Sequence, residues 1–230
     1  MSFFSCARWK WSYLYPKLTK RLNYMDKPSS EQIESAEHRI FEAAHEVFTL
    51  KGMAGAKMQE IADRAGINKA LLHYYYRSKE KLFEAVVKAV IRKVMPKFLQ
   101  ILESELPLLE KLEHFVDTYI DVIRQNPFVP LFVISEMNKH PDRFFDEIVP
   151  KDLPRLDFFY KQVEEAVATG LIRPVAPRHL VINAFSLCVF PIIARPMARI
   201  ILGINAEEMN QFLDERKKEV KSFLLHAIRP

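Results

Sequence analysis

Between Gln59 and Tyr76 the chain reads QEIADRAGINKALLHYYY, a segment whose side chains are suited to holding and reading a polyanion. The spacing predicts two short helices around a tight turn. Ala62 is small enough to sit where two helices cross, Gly66 can close the first helix and permit the sharp turn, Ile67 plugs that turn from inside, and Leu72 anchors the second helix from below. Lys69, Ala70, Leu71, His73 and Tyr74 are then left on or near the outer surface. A helix is about as wide as the major groove of DNA, so such a face can reach base edges and phosphates. Residues 57–81 carry six basic side chains (Lys57, Arg64, Lys69, Arg77, Lys79 and Lys81) against three acids. Helix starts expected near residues 58, 69 and 79 add backbone N–H donors and positive dipole ends suited to phosphate. Three consecutive tyrosines, Tyr74 to Tyr76, fit a phosphate-facing surface better than a core, where each hydroxyl needs a partner. Tyr75 is the exception, because its spacing from Leu72 turns it inward. A generic helical hairpin is the plain alternative for the same pattern.

The elements that position these residues are helices. Glycine is scarce, at 5 of 230 residues, and no alternating apolar–polar run is bounded by turn pairs, so the fold class is all-α. Ile33, Ala36, Ile40, Ala43, Ala44, Val47 and Phe48 form one apolar stripe that ends at Lys51-Gly52. Ser29 and Gln32 are spaced as a capping box at its start. Asn68 can cap a helix over 69–76. Ser78 can cap a fourth with the stripe Leu82, Phe83, Val86, Ala89, Val90 and Val94. Residues 97–104 read as the tail of that helix or a short continuation. Longer helices follow at about 107–125, 127–139, 152–169, 177–203 and 206–228, about nine in all, divided by prolines and Gly170. The division expected is a basic extension over 1–24, a three-helix head over 25–78, and a helical body over 79–230.

Charge placement qualifies the net +5. Residues 1–24 alone carry five basic side chains and no acid, whereas 25–95 hold 12 basic and 10 acidic groups and 96–230 hold 17 and 19. The folded part is near neutral, so binding to DNA must rest on local charge. The extension reads either as disordered or as a stretch outside a native chain starting at Met25. Cys6 and Cys188 stand far apart, with neither metal nor disulfide spacing, which fits a reducing cytoplasm. The aromatic, basic start lacks an uncharged run long enough for a signal peptide. The apolar stretch 180–204 contains Arg195, Arg199, Pro191 and Pro196, which suits a buried helix better than a membrane span.

The body is rich in aromatics, mostly as core. Candidates for contacting a small, mostly apolar ligand are His114, Tyr119, Phe132, Phe159, Asn183, Phe185 and Ser186, which pair apolar bulk with nearby polar groups. Arg195 could meet a ligand carboxylate or a structural acid. Pro191 and Pro196 should kink the helix 177–203 and free a backbone carbonyl to line a cavity. Ile192, Ile193, Ile200, Ile201, Phe212, Phe223 and Leu224 are expected on outward stripes buried by a partner, or else packed on helices five to seven. No phosphate loop, HExxH, paired cysteines or nucleophile elbow is present, so neither an enzyme nor a cofactor is expected. His114 and Asp117, three apart on a helix, are at most half a metal site and more simply a solvated face.

The approach HRIFEAAHEVFTLKG, the pair MQEIADRAGINKALLHYYY and the exit RSKEKLFEAVV, over residues 38–88, resemble the TetR family of bacterial regulators. The resemblance implies a three-helix DNA-binding head and a linking fourth helix. It also implies a homodimer through the last two helices on a palindromic double-stranded operator, and repression relieved when a small molecule binds the body. Carried over, Lys69, Ala70, Leu71, His73 and Tyr74 are recognition-helix contacts, Gln59 reaches a phosphate or base, and Lys79 holds the DNA backbone. The family's Thr cap near Ala56-Lys57 is absent, and Lys57 can replace it by charge. Glu31, Glu34 and Glu37 should face away from phosphate. The competing classes are an effector-independent DNA-organising protein and a helical-bundle enzyme.

Overall fold

The computed structural model describes residues 30–151, 153 and 155–230, with side chains from residue 36 onward. The predicted extension, the capping-box residue Ser29 and the side chains of Glu31, Gln32 and Glu34 lie outside the described residues. Among those described there are eleven helical segments and no strand. They are α1 (Ser30–Gly55), α2 (Met58–Ala65), α3 (Lys69–Tyr75), α4 (Lys79–Leu102), α5 (Leu108–Gln125) and α6 (Val129–Lys139). Then come α7 (Pro141–Arg143), which runs on into a π-helical turn Phe144–Ile148, and α8 (Asp157–Ala168), α9 (Pro177–Ile193), α10 (Arg195–Ile201) and α11 (Met209–Ile228).

Local signals account for most of the boundaries. The α1 stripe is buried at Ala36, Ile40, Ala43, Ala44, Val47 and Phe48. Its regular path breaks at Gly52 (φ 64°, ψ 179°), a conformation that a Cβ all but forbids. Asn68 Oδ1 accepts the Leu71 N–H at 2.7 Å and Ser78 Oγ accepts the Lys81 N–H at 3.2 Å, so both predicted caps form. Residues 97–104 are the tail of α4, which passes Pro96 without ending.

The stretch 177–203 divides differently from expectation. Pro191 lies inside α9, and the chain instead turns by 70° between α9 and α10, just before Pro196. Pro191 has no N–H for the Leu187 carbonyl, and Arg216 of α11 takes its place, with Nη2 and Nε donating to Leu187 O at 3.2 and 3.3 Å. The carbonyl freed by Pro191 is thus occupied by a side chain of α11. Arg216→Ala should leave that acceptor without a partner and lower stability by about 1–3 kcal/mol, read from denaturant unfolding; an unchanged midpoint would remove this role. The short α7 and its π-turn follow a proline at N1 and carry no periodic stripe, so the sequence did not reveal them.

Two hydrophobic cores result. The first joins α1–α4 and also takes in Phe128, Val129, Phe144 and Ile148. The second joins the far half of α4 with α5, α8, α9 and α11. Along α5 and α11 the pairs Asp117–Lys221 (2.9 Å), Asp121–Lys217 (2.6 Å) and Arg124–Asp214 (2.9 Å) hold the two helices antiparallel. Asp117 is therefore committed to a cation on α11, and no group of three or more metal-ligating side chains occurs among the described residues.

Candidate nucleic-acid interface

The predicted hairpin forms as α2–turn–α3. Ile61 and Ala62 are fully buried, and Ala65 nearly so, against α1. Gly66 closes α2 in the left-handed region (φ 64°, ψ 37°), and its N–H reaches the carbonyls of Ala62 and Asp63. Arg39 Nε donates to Ala65 O at 3.1 Å, which ties the end of α2 to α1. Ile67 is half-buried against the core and Leu72 is fully buried, as their plug and anchor roles require.

The outer face of α3 presents Lys69, Ala70, His73 and Tyr74 exposed, with Leu71 half-buried beside them. Of the three tyrosines, Tyr74 alone stands out, at 52% exposure. Tyr75 and Tyr76 both pack partly against the core. The inward turn predicted for Tyr75 holds, and it extends to Tyr76, whose place just after α3 returns the chain toward the core. Burial, followed by the negative charge of Glu37, pushes the Tyr75 hydroxyl above its ordinary pKa.

The six local cations are not equivalent. Arg64 is held by Glu46 (2.9 Å) and Glu60 (3.7 Å), and Lys81 by Glu84 (3.2 Å). Lys79 donates through Nζ to Ala56 O (3.2 Å) and Ala54 O (3.3 Å), so its ammonium fixes the α1–α2 turn from within. The predicted backbone-holding residue thus also ties down the last carbonyls of α1, which lack helical partners. Lys57, Lys69 and Arg77 are exposed and make no ion pair among the described residues. Lys57 stands at the N-cap of α2 without a side-chain cap bond, which leaves its ammonium and the helix N-terminus open. Gln59 donates to Asp63 Oδ1 at 2.8 Å across one exposed turn. Sequence reasoning missed Lys51, whose Nζ meets both oxygens of Glu60 at 2.7 and 2.8 Å; that hydrogen bond is the main cause of a lowered Glu60 pKa. The pair removes an acid from the field beside α3.

The seven predicted ligand residues do not share one cavity. Tyr119 and Phe185 meet at 4.9 Å within the second core, Phe159 is fully buried in that core, and Phe132 lies against the first. His114 is exposed at the rim of a separate recess between α4 and α5 of about 340 Å³. Asn183 and Ser186 are exposed, and Ser186 Oγ donates to Ile182 O at 2.7 Å. Helical spacing places these two on the same outward side of α9 as Ile182 and Phe190, so the polar positions of that helix turn away from the core. The predicted outward stripes divide as well. Ile192 and Leu224 are buried within the chain, Ile193 and Phe212 are half-buried, and Ile200 (81%), Ile201 (69%) and Phe223 (61%) stand exposed. No single described helix is long and apolar enough to cross a membrane; α9 and α10 pass that test only together, as the bent pair.

Residues 40–86 match the family of bacterial regulatory proteins of the tetR type. The chain is 22% identical to the HTH-type transcriptional regulator RutR of Escherichia coli over 201 residues, 87% of this chain and 94% of the relative. It is 25% identical to the HTH-type transcriptional repressor KstR2 of Mycolicibacterium smegmatis over 65% of this chain and 72% of the relative. The fold is that of a Mesorhizobium loti protein described as a TetR-family transcriptional regulator (TM-score 0.54, 20% identity, 86% of this chain and 98% of the other). These relatives are regulators and point away from an enzyme. Joined to the α2–turn–α3 geometry, the matches show a DNA-binding transcriptional regulator whose residues 40–86 are similar to the tetR family of bacterial regulatory proteins.

Proposed function

We propose that the chain is a homodimeric, cytoplasmic repressor that reads a palindromic operator through α3 and leaves it on binding a small, mostly apolar effector. The observation that carries this reading is the exposed polar–aromatic face of α3 flanked by three cations, Lys57, Lys69 and Arg77, that form no ion pair among the described residues. In this reading residues 25–78 are the head and 79–230 the body. Lys57, Lys69 and the α2 N-terminus meet phosphate, Gln59 meets a phosphate or base, and Ala70, Leu71, His73 and Tyr74 face base edges. Lys79 acts by holding the α1–α2 turn under them. The exposed Ile182, Phe190, Ile200 and Phe223 supply apolar area for a second copy through α9–α11. Two heads about 34–36 Å apart then address successive major grooves of one DNA face.

Selection of bound sequences from random DNA tests the reading directly. The expected product is an inverted repeat bound about 10³-fold or more above random DNA at moderate salt. Enrichment without a repeat would remove the dimer, and no enrichment at all would leave a DNA-organising protein. On the selected site, Lys69→Gln should weaken all sequences alike and lower the salt slope by about one. His73→Ala should instead shift the preferred base at one position per half-site, worth about 1–3 kcal/mol. Uniform loss from both substitutions would mean that α3 does not lie in the groove.

A further inference from the structure

A cavity of about 800 Å³ lies where the C-terminal end of α1, the start of α4, α6 and the α9–α10 bend meet. Its wall is largely apolar and aromatic, with Phe48, Phe83, Phe128 and Phe132 among its side chains. Two polar atoms of residues in that wall are fully buried without a hydrogen-bond partner: Arg195 Nε and Thr49 Oγ1. Buried polar atoms in folded proteins are nearly always satisfied, so two orphans in residues of one cavity wall mark where a bound polar group would gain partners, each reached after a small side-chain shift. Arg195 sits at the first position of α10, where the 70° turn brings its guanidinium to the cavity. Burial pushes its pKa down, and no carboxylate offsets that cost.

The acids of the wall are otherwise occupied. Glu84 is held by Lys81, Lys88 and Arg143. Glu80 is held by its own backbone N–H and by Ser78, and Glu136 acts on Arg143. Of the wall's three cations Arg143 is held by Glu84 and Glu147, whereas Lys139 and Arg195 make no ion pair among the described residues, and of these two only Arg195 is withdrawn from solvent.

We propose that this wedge binds an amphipathic monocarboxylate, with Arg195 and Thr49 taking the carboxylate and the four phenylalanines taking the apolar body. The proposal rests on the reading that a small molecule governs release from DNA, and it locates that molecule between head and body and not in the second core. A ligand spanning α1, α4 and the α9–α10 bend acts on the head's orientation wherever it binds one head–body arrangement better than another.

The test uses the full chain with octanoate and 4-phenylbutyrate as probes and octanol and 4-phenylbutanol as their uncharged counterparts. Calorimetric titration should show saturable binding of an acid at millimolar concentration or below, with the matching alcohol about tenfold weaker or more. Arg195→Gln should erase the difference between acid and alcohol, and Thr49→Val should weaken the acids alone. Without ligand, Arg195→Met should raise Tm, since an unpaired desolvated charge is replaced by an apolar chain of similar length. The proposal is overturned if the acids bind Arg195→Gln as well as they bind the parent, if neither acid binds the parent, or if Arg195→Met lowers Tm. Release of the selected operator is measured in parallel. Acids that bind through Arg195 yet leave the protein on DNA keep the site and remove the effector reading. A compound that releases the parent and Arg195→Gln equally keeps the effector reading and removes the site.

Discussion

Leu72→Ala is expected to lower stability by about 2–5 kcal/mol and to abolish operator binding with it. Helix α3 has only seven residues, far too few to hold itself in water, and Leu72 is its one fully buried side chain. The exposed face of α3 is therefore positioned through that contact, the Asn68 cap and the partial burial of Tyr75. Truncation leaves a cavity beneath the helix in the first core, and the exposed face above it loses its fixed register. Denaturant unfolding followed by circular dichroism reads the stability, and fluorescence anisotropy with the selected operator reads the binding. Leu71→Ala is the control. It removes a half-buried side chain from the outer side of the same helix and should change stability by less than about 0.5 kcal/mol. If Leu72→Ala left both readouts unchanged, the anchoring of α3 would be wrong.

Glu84→Lys is the second large effect, at about 3 kcal/mol, because it places a fourth cation among three that now share one carboxylate. Glu84 of α4 receives Lys81 at 3.2 Å, Lys88 at 2.9 Å, and Arg143 from α7. Glu147 of the π-turn accepts Lys88 at 3.0 Å and Arg143 at 3.2 Å, and its carbonyl accepts Arg92 at 3.0 Å. This network fastens α4 to the 141–148 segment beside the first core. Burial opposes ionisation of Glu84, but hydrogen bonds from Lys88 and Lys81 and the charges of Lys88 and Arg143 outweigh it and hold its carboxyl below the ordinary value. Glu147 is lowered chiefly by its Lys88 hydrogen bond. For carboxyls lowered in the folded state, the stabilisation is present above the unfolded value near 4.5 and is lost as pH falls through the lower folded values. Tm should therefore drop steeply below about pH 4.5, and Glu84→Gln should flatten that drop while lowering the neutral-pH plateau. A Glu84→Gln profile parallel to that of the parent would exclude the network as its source.

Much of the head is legible in one dimension because its determinants are local. Gly66, Asn68 and Ser78 act on backbone atoms within four residues of themselves, and Ala62 and Leu72 follow from helical periodicity alone. Which of six nearby cations remains free is a different kind of fact. Lys79 is turned inward by carbonyls 23 and 25 residues earlier, and Arg64 is held by an acid 18 residues away. Such distances in sequence leave no periodic trace. The same limit explains the body. Composition promised aromatics and a proline-bent helix, yet nothing local could pair Arg216 with the carbonyl that Pro191 releases. Nor could it bury Lys111, whose Nζ donates to Gln162 Oε1 at 2.7 Å and lies 4.8 Å from the Phe158 ring.

The outer surface of the α2–turn–α3 hairpin, read first from residue types, is what the sequence determined by itself: caps, turn glycine and apolar spacing suffice to form and orient it. The tertiary structure decided which charges of that surface stay unpaired, which apolar residues of the last helices stay outside, and where a partnerless arginine meets a cavity. Those outcomes depend on which elements come within a few ångströms of one another, and packing alone sets that distance.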